Sequence, residues 1–135
     1  MKKILIVEDD ESLRQMYKQV FVNSGYAVDE AVDPNKSLEL LKENSYNVIL
    51  LDLLFPSMDG VDVVRTIKSD VTKNSTTPII ILTNLTHDKK IKKVMQLGAY
   101  KCLFKAEHTP KTIFKEVDAI IKDNNTNDDK EQNNE

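Results

Sequence analysis

The chain has 135 residues, a formal net charge of −3 and a single cysteine, Cys102. That length suits one domain whose core buries about two thirds of the surface exposed by the unfolded chain. The mild charge excludes a global basic field for nucleic acid and a strongly acidic, disordered composition. Cys102 has no partner for an internal disulfide, and no apolar run near Met1 is long enough for a signal peptide or membrane span, so a reducing cytoplasm is expected, with neither membrane nor nucleic acid as a direct partner.

In chain order, Ile4-Leu5-Ile6-Val7 is a short apolar run that ends abruptly in Glu8-Asp9-Asp10-Glu11, which reads as a buried strand meeting an acidic loop. Leu13, Met16, Tyr17, Val20 and Phe21 then follow the spacing of one helix face, with Gly25 as the stop. Tyr26 to Ala31 reads as a strand. Its Asp29 and Glu30 are too polar for burial on both faces, so it belongs at an edge. Pro34 opens a helix carrying Leu38 and Leu41. Val48-Ile49-Leu50-Leu51 is a second buried run, and it ends in a lone carboxylate, Asp52.

Asp59 or Gly60 caps the following helix, with Val64, Ile67 and Val71 inward, and the polar run Lys73-Asn74-Ser75-Thr76-Thr77 closes it. Ile79-Ile80-Ile81-Leu82 is again apolar and ends in Thr83. A helix follows with Ile91, Val94, Met95 and Leu97 inward, Lys89, Lys90, Lys92 and Lys93 outward, and Gly98 as its C-cap. Cys102-Leu103-Phe104 is the last strand, and Lys105 ends it. Thr109 and Pro110 start a helix with Ile113, Val117, Ile120 and Ile121 on one face.

Residues 1–123 are therefore expected to form one domain, and the apolar-free stretch 124–135 a disordered acidic, Asn-rich tail. Five strand-helix alternations imply an α/β fold, a doubly wound five-stranded parallel sheet with right-handed crossovers. In such sheets ligands bind outside the carboxyl ends of the strands. Glu8, Asp9, Asp10, Asp52, Thr83 and Lys105 would meet along that edge.

Carboxylates gathered in one crevice repel, and raised pKa values or a hard divalent cation relieve the repulsion; Mg²⁺ suits an all-oxygen set. His87 and His108 lie away from the strand ends and Cys102 lacks a ligand-spaced partner, which argues against a transition metal. A carboxylate beside Mg²⁺, a lysine and a hydroxyl is a credible phosphoryl acceptor, because phosphoryl transfer mostly needs positioning and charge neutralisation. Gly25, Gly60 and Gly98 form no nucleotide-cradling pattern. An aspartate-nucleophile phosphohydrolase would normally carry a second acid two residues after Asp52, and Leu54 stands there instead. The capping role is the simpler reading for Asp10 and Asp59, as a solvated helix face is for the lysine cluster.

Four motifs in order, Ile6-Val7-Glu8-Asp9-Asp10, Leu51-Asp52-Leu53-Leu54-Phe55-Pro56-Ser57-Met58-Asp59-Gly60, Ile81-Leu82-Thr83 and Leu103-Phe104-Lys105, resemble the response-regulator receiver domains of bacterial two-component signalling. The resemblance covers residues 2 to about 123 and implies a flavodoxin-like sheet in the order 2-1-3-4-5. It implies Asp52 as phosphoacceptor, Thr83 as switch hydroxyl and Lys105 as the partner of the phosphoryl group. Mg²⁺ would be held by Glu8, Asp9, Asp52 and the Leu54 carbonyl. The implied donor is a phosphohistidine on a sensor histidine kinase or phosphotransfer protein.

The same resemblance implies a phosphorylation-dependent switch, not an enzyme. As no output domain follows, a single-domain regulator is expected, reaching a downstream partner through the face of the fourth helix, fifth strand and fifth helix. The alternative is a receiver-like interaction module uncoupled from phosphorylation. The chain departs from the family's usual residues at Cys102, where an aromatic is common, at Ala106, where a proline is common, and at Asn84, where a very small residue is common. A cis bond to a non-proline costs about 2.5–4 kcal/mol, so the Lys105–Ala106 peptide is expected to be trans. Apolar Leu54 and Leu85 cannot orient water, and slow hydrolysis of an acyl phosphate is expected.

Overall fold

The structure, a computed structural model, describes residues 1–55, 59–69, 71–84 and 88–133, the side chains of residue 88 and of 124–133 excepted. Pro56, Ser57, Met58, Leu85 and His87, all weighed from the sequence, lie outside the described residues. The elements are β1 (Lys3–Val7), α1 (Glu11–Asn23), β2 (Ala27–Ala31), α2 (Pro34–Glu43), β3 (Val48–Asp52), α3 (Gly60–Lys68), β4 (Ile79–Thr83), α4 (Asp88–Gln96), β5 (Lys101–Phe104), a 3₁₀ turn (Lys105–Glu107) and α5 (Pro110–Asn133). Among the described residues the strands form one five-stranded sheet in the order β2-β1-β3-β4-β5, every pairing parallel. This is the doubly wound order expected, with β2 at an edge.

Side chains alternate across a strand, and that period divides the core in two. Leu5, Val7, Ile49, Leu51, Ile79 and Ile81 pack with Leu41, Val63, Val64, Ile67 and Val94 of α2, α3 and α4. Ile4, Ile6, Val48, Leu50, Ile80 and Leu82 pack with Tyr17, Phe21, Ile113, Val117, Ile120 and Ile121 of α1 and α5. Each central strand therefore carries an unbroken run of four apolar residues, because each of its faces meets helices. No helix among the described residues is long and apolar enough to cross a membrane.

Helix ends follow local chemistry. Asp10 and Asp59 are N-caps, accepting from Leu13 N and Val61 N at 2.9 Å each, and Asp33 accepts from Lys36 N at 2.8 Å. Thr109 Oγ1 accepts from Thr112 N at 3.2 Å ahead of Pro110. Gly25 and Gly98 take φ of 89° and 109°, the left-handed conformation that ends α1 and α4.

Two expectations are corrected. Met16 and Met95 are exposed, since the buried residues of α1 are Arg14, Tyr17 and Phe21 and α4 buries Val94; the helices are rotated relative to the apolar stripe read from their sequences. Val71 is exposed because α3 stops at Lys68, where the Ser69 hydroxyl bonds Thr66 O. Helical backbone in α5 is described to Asn133. No glycine or proline interrupts 124–133, so the helical backbone runs on past its last apolar anchors, Ile120 and Ile121.

Candidate functional site

Strand alternation also decides what meets at the carboxyl edge. Glu8 continues the Ile4, Ile6 series, Asp52 continues Val48, Leu50, and Lys105 continues Leu103. All three series belong to the face covered by α1 and α5, so three charged groups from three strand ends come under the start of α1. Lys105 Nζ donates to Asp52 Oδ2 at 3.0 Å and to Glu8 Oε1. Glu8 and Asp52 are 2% and 6% exposed. Asp9 is exposed beside them, and one carboxylate oxygen from each of Glu8, Asp9 and Asp52 lies within 4.8 Å of the others.

The Leu54 N–H donates to Asp52 Oδ1 at 3.0 Å, fixing the carboxylate's rotation, while the Leu54 side chain is 46% exposed. Leu54 forms an isolated bridge with Asp59, which ties the loop after β3 to the start of α3. Thr83 closes β4 at the same edge, opposite Phe104 in the register, and is fully buried; it continues the alternate Ile79, Ile81 series. Asn84 is exposed, Cys102 is half-buried on β5, and the Lys105–Ala106 peptide is trans. Burial pushes the Cys102 thiol up, away from thiolate chemistry.

Charge does not balance here. Lys105 is a single ammonium against two buried carboxylates and a third at the rim. Burial pushes Glu8 up to about 7; the Lys105 hydrogen bond opposes that, and Asp52 adds to it through a hydrogen bond available to protonated Glu8 and through repulsion. Burial lowers the Lys105 pKa, but Glu8 and Asp52 outweigh it and the ammonium is held above its ordinary range. Among the described residues, Glu8 Oε2 is a buried side-chain oxygen with no hydrogen-bond partner. An orphaned carboxylate oxygen, excess negative charge and an all-oxygen donor set together fit a hard divalent cation such as Mg²⁺.

Arg14 is the site residue that the apolar pattern misses. Its Nη1 donates to the Glu8 carbonyl at 3.0 Å, and it is buried with Tyr17 and Phe21. Positions 14, 17 and 21 are themselves helically spaced, so an arginine in register with two large aromatics was the available signal.

The family profile described as response regulator receiver domain matches residues 4–118. The chain belongs to that family. Response regulator ArlR of Staphylococcus saprophyticus is 41% identical over 91 residues, covering 66% of this chain and 40% of the relative. Transcriptional regulatory protein SrrA of Staphylococcus aureus is 30% identical over 120 residues, covering 89% of this chain and 48% of the relative. The chain thus spans less than half the length of these curated relatives. Among solved structures, chemotaxis protein CheY4 of Vibrio cholerae has a TM-score of 0.80 at 30% identity, covering 89% of this chain and 98% of that one. A CheY-like receiver domain protein from Methanospirillum hungatei has a TM-score of 0.84 at 21% identity over 94% of this chain and 98% of that one, a likeness of fold.

Proposed function

We propose that this receiver domain accepts a phosphoryl group on Asp52 from a phosphohistidine of a sensor histidine kinase or phosphotransfer protein. An Asp52 carboxylate oxygen forms the new bond to phosphorus as the phosphorus–nitrogen bond to the donor histidine breaks, and the departing imidazole takes a proton from solvent. The observation that carries this reading is the pairing of buried Asp52 with Lys105 beside the acidic pair Glu8 and Asp9. Mg²⁺, when held by Glu8, Asp9, Asp52 and the Leu54 carbonyl, supplies neutralisation of the phosphoryl oxygens. Lys105 neutralises a further oxygen, the Leu54 N–H holds the nucleophile's orientation, and the Thr83 hydroxyl donates to the phosphorylated form.

The product is a signal. A phosphoryl group adds up to about two negative charges at the edge where β4 hands over to α4, which reorients Thr83 and biases the α4, β5 and α5 face. That face exposes Lys89, Lys92, Lys93, Met95 and Tyr100, a surface for a downstream protein partner in the cytoplasm. In this reading slow self-dephosphorylation is the domain's only turnover.

Incubation of the purified chain with Mg²⁺ and a small-molecule phosphodonor, followed by intact mass, tests the proposal. Wild type gains one phosphoryl group and Asp52→Ala gains none. Absence of any gain by the wild type, with Mg²⁺ binding intact, overturns it in favour of an interaction module uncoupled from phosphorylation.

A further inference from the structure

Glu8 is where β1 hands over to the acidic loop, and both polar groups of its backbone are engaged. Its N–H donates to Ala31 O at 3.1 Å, and its carbonyl accepts from Arg14 Nη1 at 3.0 Å. Arg14 Nε donates in turn to Glu30 Oε1 at 3.2 Å. Glu30, on the edge strand β2, also accepts from Gln15 Nε2 at 3.0 Å and Lys18 Nζ at 2.9 Å. Three donors of α1 thus converge on one carboxylate, which braces the guanidinium against the end of the sheet. The arrangement uses what is particular to arginine, a rigid fork that reaches two acceptors at once.

A peptide unit is planar, so the direction of the Glu8 carbonyl sets the plane that also contains the Asp9 nitrogen. Whatever pins that oxygen orients two consecutive acidic side chains together. We propose that Arg14 is a positioning residue for the divalent-cation site: its guanidinium, braced by Glu30, pins the Glu8 carbonyl and holds Glu8 and Asp9 in the geometry that binds Mg²⁺. The proposal rests on the reading of Glu8 and Asp9 as cation ligands. Glu30 and Arg14 touch neither the cation nor the phosphoryl group. They act through one carbonyl, as the outer partners of metal ligands do.

The experiment is a calorimetric Mg²⁺ titration of the full chain, alongside metal-free thermal melts, for wild type, Arg14→Met and Arg14→Lys. Met keeps the apolar stem and removes the donors; Lys keeps the charge but lacks the rigid fork that spans the two acceptors. At a temperature where all three are folded, Arg14→Met is expected to bind Mg²⁺ about 10–100-fold more weakly than wild type. Arg14→Lys is expected to lie between the two, and it decides alone if the Met variant does not fold. Affinity equal to wild type in the folded variants, with only the melting temperature lowered, overturns the proposal by making Arg14 merely a partner for a buried carbonyl. Absence of Mg²⁺ binding by the wild type overturns it too. Failure of phosphoryl uptake with Mg²⁺ binding and its Arg14 dependence intact sinks only the proposed function.

Discussion

Lys105 Nζ lies 3.0 Å from Asp52 Oδ2, joining residues 53 positions apart at the ends of β5 and β3. The same nitrogen donates to Glu8, so one half-buried cation serves two buried carboxylates. The pocket is built with more negative charge than its own lysine neutralises, which is a poor arrangement for stability and a good one for attracting a cation and then a phosphoryl group.

Removing the lysine should therefore cost stability. Lys105→Met leaves Glu8 and Asp52 facing each other with no cation between them, and breaking a buried pair costs about 3–5 kcal/mol. Urea denaturation without metal should show that loss, and saturating Mg²⁺ should recover part of it. A variant as stable as wild type without metal would mean that the carboxylates are better hydrated than their burial implies.

Acidity supplies a second check. Glu8 is pushed up to about 7 by burial, with Asp52 adding to the effect, against an ordinary value of 4.5. The folded chain therefore holds a proton that the unfolded chain releases, and this contribution to metal-free stability is complete below 4.5 and is lost as pH rises through about 7. Mg²⁺ must displace that proton, so its affinity should rise over the same window. Glu8→Gln should flatten the metal-free stability profile there; an unchanged profile would place the titration elsewhere.

Leu54 tests turnover. Its side chain is 46% exposed beside Asp52 and has no group to orient a water molecule. Leu54→Asn should shorten the lifetime of the phosphorylated chain, read by intact mass after removal of the donor. Rapid loss from wild type that Leu54→Asn slows would reverse the expectation.

Sequence reasoning reached the sheet because β1, β3, β4 and β5 each carry a short apolar run closed by one polar residue, and Glu8, Asp52, Thr83 and Lys105 are those closing residues. It failed where a residue's partner is distant. Periodicity puts Met16 inside and passes over Arg14, because an arginine scores as surface until Glu30 and the Glu8 carbonyl are in place to satisfy it. Asn74 reads as one more polar loop residue, yet it is fully buried.

Asn74 holds the α3 to β4 connection against the rest of the fold. Its Nδ2 donates to Leu41 O at 2.8 Å and Asn44 O at 2.7 Å, while Oδ1 accepts from Tyr46 N at 2.9 Å and Thr77 Oγ1 at 3.1 Å. Asn74→Ala removes all four bonds; Leu41 O keeps Lys73 N and Thr77 Oγ1 keeps Tyr46 O, but Tyr46 N and Asn44 O lose their partner, which should destabilise the chain by about 3 kcal/mol. Because the connection is at the opposite end of β4 from Thr83, Mg²⁺ affinity of the folded variant should not change. Chemical denaturation and calorimetry separate the two quantities, and a stability loss below about 1 kcal/mol would show that water replaces the amide.

Gly60 carries the last prediction. It opens α3, and a Cβ there would lie 2.7 Å from both Leu53 Cα and Leu53 O. Those are backbone atoms, which cannot swing aside as a side chain would. Leu53 sits between Asp52 and Leu54, whose N–H orients the Asp52 carboxylate. Gly60→Ala should then cost about 1–3 kcal/mol through overpacking and also weaken Mg²⁺ binding, since relief of the clash displaces the chain segment that carries Asp52. Measured together, a stability loss with unaltered Mg²⁺ affinity would show that α3 yields instead of the β3 end, and that Gly60 serves helix packing without setting the geometry of Asp52.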